Sequence, residues 1–223
     1  MLFRSGYDPI RDFVGVSLTG IAPQVLMVIR NFPARSVTEL IAAAKSQGKP
    51  LSYGSAGTGG TSHIASEMFA RQAGISMLHV PYKGASQALA DLVASQIDVM
   101  FDLGSTALPQ VRNGTVRGLA VSSLKRFPVA ADLPTIDESG LPGYEDIIFT
   151  GLLAPAATPA DIVARLHAEV DKAAKVPETR KKFLDVGVEI TASASPAEFT
   201  AYVRAEYDKK AKLIKAIGIP LSD

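Results

Sequence analysis

Two kinds of hydrophobic pattern alternate along most of this chain. Short, nearly continuous apolar runs, such as 24–30 ("QVLMVIR"), 77–82 ("MLHVPY") and 97–102 ("IDVMFD"), predict buried β-strands. Between them lie segments whose apolar residues recur every three or four positions, the clearest being 61–72, and these predict amphipathic helices. Strands that alternate with helices indicate an α/β fold with a mainly parallel sheet covered by helices.

Local capping signals set the expected helix boundaries. The sequences "SVTE" (36–39) and "SPAE" (195–198) have the serine-to-glutamate spacing of a capping box, so a helix should begin at each. Gly74 is placed to end the helix that precedes it. Thr158 and Pro159 are expected to cap and open a further helix. Helices are thus expected both between the strands and in the C-terminal part of the chain.

The elements are distributed unevenly, which suggests three segments. Residues 24–146 hold a nearly complete α/β unit that ends in a stretch rich in Pro, Asp and Gly. Residues 147–223 hold one strand and several helices, too few strands for a sheet of their own. Residues 1–23 reach strand-like sequence almost at once and lack the apolar core of a signal peptide, so we expect a truncated start. The tail helices should then present an apolar face that no sheet of this chain covers.

Composition narrows the classes of function. Of the 223 residues, 47% are hydrophobic and 20% charged, with a net charge of +1, which excludes a disordered chain and argues against a nucleic-acid partner. The absence of cysteine excludes disulfides, thiolate chemistry and cysteine-type zinc sites. No apolar stretch is long enough for direct membrane insertion. The three histidines lack H-x-x-x-H spacing and the carboxylates do not cluster, so neither a metal nor a cofactor is expected.

The most unusual segment is "YGSAGTGGTSH" (53–63), between a predicted strand and a predicted helix. Ligands bind at such junctions, where the free N–H groups of a helix start attract anions. The segment fails as a phosphate-binding P-loop, since Gly60 stands where lysine is needed, and as a dinucleotide fingerprint, since Ser62 replaces a glycine. It fails as a nucleophile elbow because Tyr53, not glycine, lies two residues before Ser55. Two interpretations are left, a structural turn and an uncharged donor nest suited to a carboxylate.

Two further strand–helix junctions should lie at the same edge of the sheet. "VPYKGASQ" (80–87) would bring Tyr82, Lys83 and Gly84 there, and "VMFDLGST" (99–106) would bring Asp102. Asp102 is expected either to cap a helix or to contact the ligand. With three junctions together, a binding site becomes the favoured interpretation.

The helix start and the histidines carry separate expectations. We predict that Thr61 or Ser62 caps the helix after the loop, and that at least two N–H groups of residues 56–62 have no protein acceptor. His63, in the first helical turn, is expected to line the site or to pack beside it. His79 lies inside a predicted strand and should be a core residue, and His167 should lie on a helix surface.

These blocks resemble a known family. The stretch 53–102, followed by "RGLAVSSLKRFPVAADLPTIDESGLPGYE" (117–145) and "GLLAPAATP" (151–159), is similar to the receptors of tripartite tricarboxylate transporters, also called Bug receptors. The similarity runs from about Tyr7 to the C-terminus. It implies a two-lobed, type II periplasmic-binding-protein fold, in which 24–146 would be the second lobe and most of the first lobe would be missing.

The resemblance also implies a function. Such a receptor is not an enzyme; it captures a small carboxylate in the periplasm and delivers it to the subunits of a membrane transporter. Residues 1–23 and 147–223 would belong to the first lobe. The ligand-binding residues carried over from the resemblance are Ser55, Ala56, Gly57, Thr58, Gly59, Gly60, Thr61, Ser62, His63, Tyr82, Lys83, Gly84, Asp102 and, on the return strand, Phe149.

Two other functions stay open at the level of sequence. One is a ligand-sensing module for a signalling partner. The other is a hydrolase that uses Ser62, His63 and Asp102, although adjacent residues at a helix start point in different directions and are poorly placed to share a proton. The ligand is equally open, since di- and tricarboxylates, aromatic carboxylates, amino acids and nicotinate-like acids would all suit the loop.

Overall fold

The computed structural model describes residues 6–218. Within them lie six strands: β1 (Phe13–Ile29), β2 (Leu51–Ser55), β3 (Met77–Pro81), β4 (Val99–Leu103), β5 (Val116–Val121) and β6 (Ile147–Pro155). The helices are α1 (Val37–Ser46), α2 (Thr61–Ala73), α3 (Ala85–Val93), α4 (Gly104–Arg112), α5 (Ala160–Lys175), α6 (Pro177–Asp185) and α7 (Pro196–Ile217). A short 3-10 turn, Pro128–Ala130, lies in the irregular segment before β6.

The chain divides into two compact units. One unit is the uninterrupted segment Ala22–Ile148, and the other combines the flanking segments Met1–Ile21 and Phe149–Asp223. β1 and β6 each continue through a boundary between the units, so strands connect them. We call them the central unit and the flanking unit.

The sheet of the central unit is mixed, and this corrects the sequence-based prediction in part. Its strand order is β3-β2-β4-β1-β5, and β6 also pairs with β1. β2 is parallel to β3 and β4, as expected, but β1 is antiparallel to β4 and β5. β1 ends at the edge where β2 begins, so it runs opposite to the four strands that follow.

A cluster of aromatic rings fills the core of the central unit. Phe69 of α2 meets Phe101 of β4 and Tyr144 edge-on, with ring centroids 5.9 and 6.2 Å apart. Tyr144 comes from the irregular segment, and its buried hydroxyl donates to the Ala65 carbonyl at 3.0 Å. That bond attaches the irregular segment to α2 and satisfies a polar group that burial would otherwise leave unpaired.

The helix caps agree with the sequence at most positions. Ser36 and Ser195 cap α1 and α7 by accepting the N–H groups of Glu39 and Glu198, as the capping boxes predict. Gly74 ends α2 in the left-handed conformation. The expected cap at Thr158 is wrong: Pro159 takes the N-cap position of α5 and no side chain caps that helix.

The flanking unit packs around Phe199 of α7. This side chain is 1% exposed and lies over two glycines, Gly15 of β1 and Gly151 of β6. A Cβ at Gly151 would come within 2.0 Å of the Phe199 ring. The Phe199 ring can therefore occupy this position only because Gly151 has no side chain.

Several large apolar side chains of the flanking unit are exposed. On α5, Val163 is buried, but Ile162 and Leu166 are 44% and 39% exposed. Phe183 and Val186, near the end of α6, are also exposed. The expectation that no sheet covers the tail helices therefore holds only in part, since Val163 and Phe199 pack on strands β1 and β6. Within residues 6–218, no helix combines the length and hydropathy needed to span a membrane.

Candidate functional site

Three strand–helix junctions lie side by side at one edge of the sheet. β2 pairs in parallel with β3 through Ser55 and Pro81, and with β4 through Gly54 and Met100. The segments that follow these three strands therefore leave the sheet at the same edge. The Tyr82 N–H continues the pairing by donating to the Ser55 carbonyl at 3.0 Å. The predicted clustering of the junctions is confirmed.

Internal hydrogen bonds shape the glycine loop, residues 55–62. Four of its N–H groups donate to acceptors in the loop or in the first turn of α2. The acceptors are Ser62 Oγ for Ala56 (3.1 Å), Ser55 Oγ for Gly57 (3.2 Å), His63 Nδ1 for Gly59 (2.9 Å) and the Gly57 carbonyl for Gly60 (3.1 Å). Gly57 and Gly59 adopt φ values of 135° and 78°, which favour glycine.

Three other N–H groups of the loop have no acceptor among the described residues: those of Thr58, Thr61 and Ser62. The first helical bond of α2 runs from Ile64 to the Gly60 carbonyl, so the N–H groups before it are free, as at any helix start. The Thr58 and Thr61 side chains are exposed. The prediction of at least two such N–H groups is confirmed, and they lie at the positive end of the α2 dipole.

The predicted cap of α2 is wrong. Gly60 is the N-cap residue, in an extended conformation, and no side chain caps the helix. Thr61 is already the first helical residue, and Ser62 turns its hydroxyl to the Ala56 N–H. Because Gly60 has no side chain to cap them, the N–H groups of Thr61 and Ser62 have no acceptor among the described residues.

A stack of three rings lies against the glycine loop. The rings of His63 and His79 are nearly parallel with centroids 3.9 Å apart, and Tyr53 stacks on His79 at 4.9 Å. His79 Nε2 lies 2.6 Å from Ser55 Oγ, and the Tyr53 hydroxyl donates to Glu67 Oε1 at 2.5 Å. The expectation that His79 is a core residue is wrong, since the side chain is only half-buried. The strand register that pairs it with Tyr53 is the signal that could have linked it to the loop.

Both stacked histidines are held neutral. Burial lowers the pKa of His79 to about 4, and the neighbouring His63 lowers it further. Burial also lowers the pKa of His63, against an opposing influence from Glu67, whose Oε1 lies 3.9 Å from Nε2. Since His63 Nδ1 accepts the Gly59 N–H, the single ring proton is on Nε2 and faces Glu67.

The second junction is anchored to α3. The Tyr82 hydroxyl donates to Asp91 Oδ2 at 2.7 Å, and partial burial together with this bond raises the pKa of Tyr82 to about 12. Lys83 is exposed, and Gly84 is the N-cap of α3 with φ of 153°. Lys83 therefore supplies a cation near a loop that has none of its own, and its predicted role at the ligand stays a prediction.

Asp102, at the third junction, lies two residues after Met100, the register partner of Gly54. Its carboxylate is 6% exposed and accepts the Leu103 N–H at 2.9 Å and the Thr106 hydroxyl at 2.6 Å. Burial raises the pKa of Asp102, while these two bonds oppose the rise. The expected cap at Asp102 is wrong, because Leu103 is the N-cap residue of α4 and no side chain caps that helix. The contact of Asp102 with a ligand stays a prediction.

The hydrolase arrangement does not form. Ser62 Oγ accepts the Ala56 N–H, and His63 Nδ1 accepts the Gly59 N–H, so the two residues bond the loop and not each other. The other close serine–histidine pair, Ser55 and His79, is unsuited to attack because Ser55 is 0% exposed.

Two predicted ligand contacts have other partners within the protein. The Ser55 hydroxyl contacts His79 and the Gly57 carbonyl. Phe149 belongs to the flanking unit, where its ring meets Tyr202 and Phe199 edge-on at 5.1 and 6.4 Å. Their contacts with a ligand stay predictions. Across residues 6–218, no group of three or more acidic or histidine side chains is arranged to hold a metal ion.

The chain is similar to known proteins in both sequence and structure. The chain matches the family described as "Tripartite tricarboxylate transporter family receptor" over residues 2–219. It is 40% identical over 187 residues to the "UPF0065 protein in tcbD-tcbE intergenic region" of Pseudomonas sp. (strain P51), covering 83% of this chain and 56% of that protein. The chain thus spans a little over half the length of that relative.

Two solved structures extend the comparison. "R. palustris Rpa4515 with adipate" superposes with a TM-score of 0.86 at 34% identity, covering 98% of this chain and 73% of the other. "MatC (Rpa3494) from Rhodopseudomonas palustris with bound malate" superposes with a TM-score of 0.79 at 31% identity, covering 94% of this chain and 72% of the other. The fold is therefore shared with proteins whose structures contain these two ligands.

Proposed function

Because this chain belongs to the receptor family of tripartite tricarboxylate transporters, we propose that the intact protein is a solute-binding receptor which captures a small dicarboxylate. In this proposal it delivers the ligand to the membrane subunits of such a transporter from the periplasm. The receptors of this family bind solutes and do not convert them, which agrees with the expectation of a non-enzymatic role.

One observation carries the proposal: the free N–H groups of Thr58, Thr61 and Ser62 lie together at the start of α2. A carboxylate has two oxygens that can each accept more than one hydrogen bond, and it needs no counter-cation if enough N–H donors surround it. The helix dipole adds attraction for a negative charge at this end. The exposed hydroxyls of Thr58 and Thr61 are further donors within the same loop.

The dicarboxylate class is supported by the two solved relatives. The ligands in their titles, adipate and malate, each carry two carboxylates separated by a short chain. We propose that one carboxylate occupies the glycine loop of this protein. The variable part of the ligand would then reach the neighbouring junctions, where Lys83 can pair with a second carboxylate and Asp102 can accept from a hydroxyl.

A pair of substitutions at one position tests the role of the backbone. Thr61→Pro removes the Thr61 N–H, and proline is tolerated there because Thr61 is the first helical residue and Gly60 before it is extended (φ −70°, ψ 168°). Thr61→Ala keeps the N–H and removes only the hydroxyl. Amide NMR titration with adipate and with malate measures both variants and the wild-type chain.

We expect Thr61→Pro to weaken binding by about tenfold or more, the effect of losing a hydrogen bond to a charged acceptor. Thr61→Ala should weaken it less. Equal binding by Thr61→Pro and wild type would contradict a carboxylate at this helix start, provided that circular dichroism shows the same helix content in both proteins. If wild type binds neither acid, a wider panel of aromatic and amino-acid carboxylates decides between another ligand and no ligand.

A further inference from the structure

We propose that His63 is a positioning residue: its Nδ1, by accepting the Gly59 N–H, holds the glycine loop in the form that presents the free N–H groups. This inference rests on the proposed function, because it concerns the same loop. It differs from the sequence-based expectation, in which His63 lines the site as a ligand contact. Here the imidazole acts on the ligand only through the backbone that it orients.

The bond between Gly59 and His63 lies in the turn that precedes α2. Gly59 sits between Thr58 and the cap residue Gly60, and its N–H donates to His63 Nδ1 at 2.9 Å. Its φ of 78° is a left-handed conformation, so this peptide is free to take other orientations if the bond is absent. The bond to His63 and the backbone bond from the Gly60 N–H to the Gly57 carbonyl thus together set how the peptide groups between Thr58 and Gly60 are turned.

The imidazole itself is fixed. The His63 side chain is 7% exposed, and its ring lies 9° from the plane of the His79 ring at a centroid distance of 3.9 Å. His79 is held in turn by Ser55 Oγ at 2.6 Å and by the stacked ring of Tyr53. Through these rings, strands β2 and β3 determine the position of Nδ1 and hence that of the loop.

The bond from Gly59 requires an unprotonated His63 Nδ1. A protonated Nδ1 is a hydrogen-bond donor and cannot accept the Gly59 N–H, so protonation would break the bond. The groups that face His63 are Glu67 from α2, His79 from β3 and the neutral Tyr53 from β2. Burial disfavours protonation and outweighs Glu67, which favours it, so the pKa of His63 lies below its usual value. The loop should therefore keep its form at neutral pH and lose it on acidification.

Two substitutions of His63 separate the effect of its hydrogen-bond acceptor from the effect of its stacked ring. His63→Asn places an amide oxygen near the position of Nδ1 and cannot titrate in this range. His63→Leu has nearly the shape of asparagine and offers no acceptor. Both variants remove the stack on His79, so the Gly59 amide shift and its hydrogen exchange, compared between them, report the hydrogen bond to Gly59.

The experiment has a ligand-free and a ligand-bound readout on the full chain. In the ligand-free protein, the Gly59 amide shift and its hydrogen exchange report the bond, and the nitrogen shift of His63 Nδ1 reports its protonation as pH falls. Adipate titration then measures binding through the amides of Thr58, Thr61 and Ser62. We expect His63→Leu to bind about fivefold or more weakly, the effect of one lost hydrogen bond. His63→Asn should bind close to wild type and lose the wild-type decline at acid pH.

Equal binding by the folded His63→Leu and His63→Asn variants would overturn the proposal, as would a Gly59 amide shift that ignores the protonation of His63. If His63→Leu does not fold, the wild-type pH titration gives the same decision, since Gly59 and His63 must then change together. If wild type binds neither adipate nor malate nor any acid of the wider panel, the proposed function fails, and the ligand-free shifts still decide whether His63 orients the loop.

Discussion

Gln24 of β1 donates its side-chain amide to Asp146 Oδ2 at 2.8 Å, and both residues are 1% exposed. Asp146 immediately precedes β6, so this bond links the two strands that continue from the central into the flanking unit. Ser122 completes the group: its hydroxyl accepts the Gln24 N–H at 2.8 Å and donates to the Asp146 carbonyl at 2.6 Å. Such a buried polar group stabilises the fold only while its members stay paired.

Gln24→Leu should therefore lower the free energy of unfolding by about 2 kcal/mol, because the buried carboxyl group of Asp146 loses a donor. Urea unfolding measures the change. Gln72→Leu is the matched control, since the exposed Gln72 also donates its amide, to the Pro142 carbonyl at 2.8 Å. The control should change stability by less than about 0.5 kcal/mol. Equal effects at both positions would mean that the buried bond is not the stabilising feature.

Gly151→Ala should destabilise the flanking unit by about 1–3 kcal/mol, the usual effect of overpacking. The added methyl would meet the ring of Phe199, which is 1% exposed and has little room to move. Gly48→Ala is the control, because nothing lies within 4 Å of a Cβ added there. Thermal unfolding of the two variants beside wild type checks the prediction, and an unchanged midpoint for Gly151→Ala would contradict the packing described.

Tyr53→Phe should lower stability by about 1 kcal/mol, because the hydroxyl that donates to Glu67 at 2.5 Å is lost from a fully buried ring. Tyr207→Phe removes a hydroxyl from a residue that is 38% exposed on α7, and it should have no measurable effect. Denaturant titration of both variants makes the comparison. A destabilisation of similar size at Tyr207 would assign the loss to something other than the bond with Glu67.

The neutral state of His79 predicts a pH dependence of stability. Its pKa is about 4 in the folded protein and about 6.5 when unfolded, so the unfolded state takes up the proton first as pH falls. Its contribution to stability is present above pH 6.5 or so and is lost progressively down to about pH 4. His79→Gln, whose amide can still bond Ser55, should reduce this loss. Unfolding curves over that pH range compare the two slopes, and parallel slopes would exclude His79 as a cause.

Asp102 should affect ligand preference more than stability when its local bonds are preserved. Asp102→Asn keeps an oxygen that can accept from Leu103 or Thr106, and it removes the charge. If Asp102 contacts the ligand, the variant should discriminate less in favour of acids that carry a hydroxyl or an amine. A ligand panel measured by thermal shift checks this, and an unaltered profile would leave Asp102 as a residue that only organises the start of α4.

Sequence signals predicted correctly those helix ends that depend only on neighbouring residues. The cap at Ser36 and the end of α2 at Gly74 depend on residues within one helical turn, and both were predicted. The direction of β1 was not, because it depends on pairing with β4 and β5, many residues away. A hydrophobic run specifies that a strand is buried but not which way it runs.

In the candidate site, too, some features were predicted from neighbouring residues and others, which depend on how the elements pack, were missed. The free N–H groups at the start of α2 were predicted, since they follow from any strand–loop–helix junction. The cap at Gly60 was missed because the Ser62 hydroxyl could bond either the helix start or the loop before it. The conformation of the loop, which places the Ala56 N–H at Ser62 Oγ, decides between them. The stack of His63 on His79 was missed because it joins a helix to a strand through a register that sequence patterns do not specify.

The arrangement of the two units also orders events during protein synthesis. The central unit, Ala22–Ile148, is one uninterrupted segment, so all of it has been synthesised before most of β6 is made. In the flanking unit, Ile21 exchanges both backbone hydrogen bonds with Glu189, which is translated 189 − 21 = 168 residues later. At roughly 5–20 residues per second, that edge of β1 waits about 10–30 s for its partner. The nascent chain should therefore hold a folded central unit beside an unpaired strand edge, which is the surface that a chaperone for extended segments would bind.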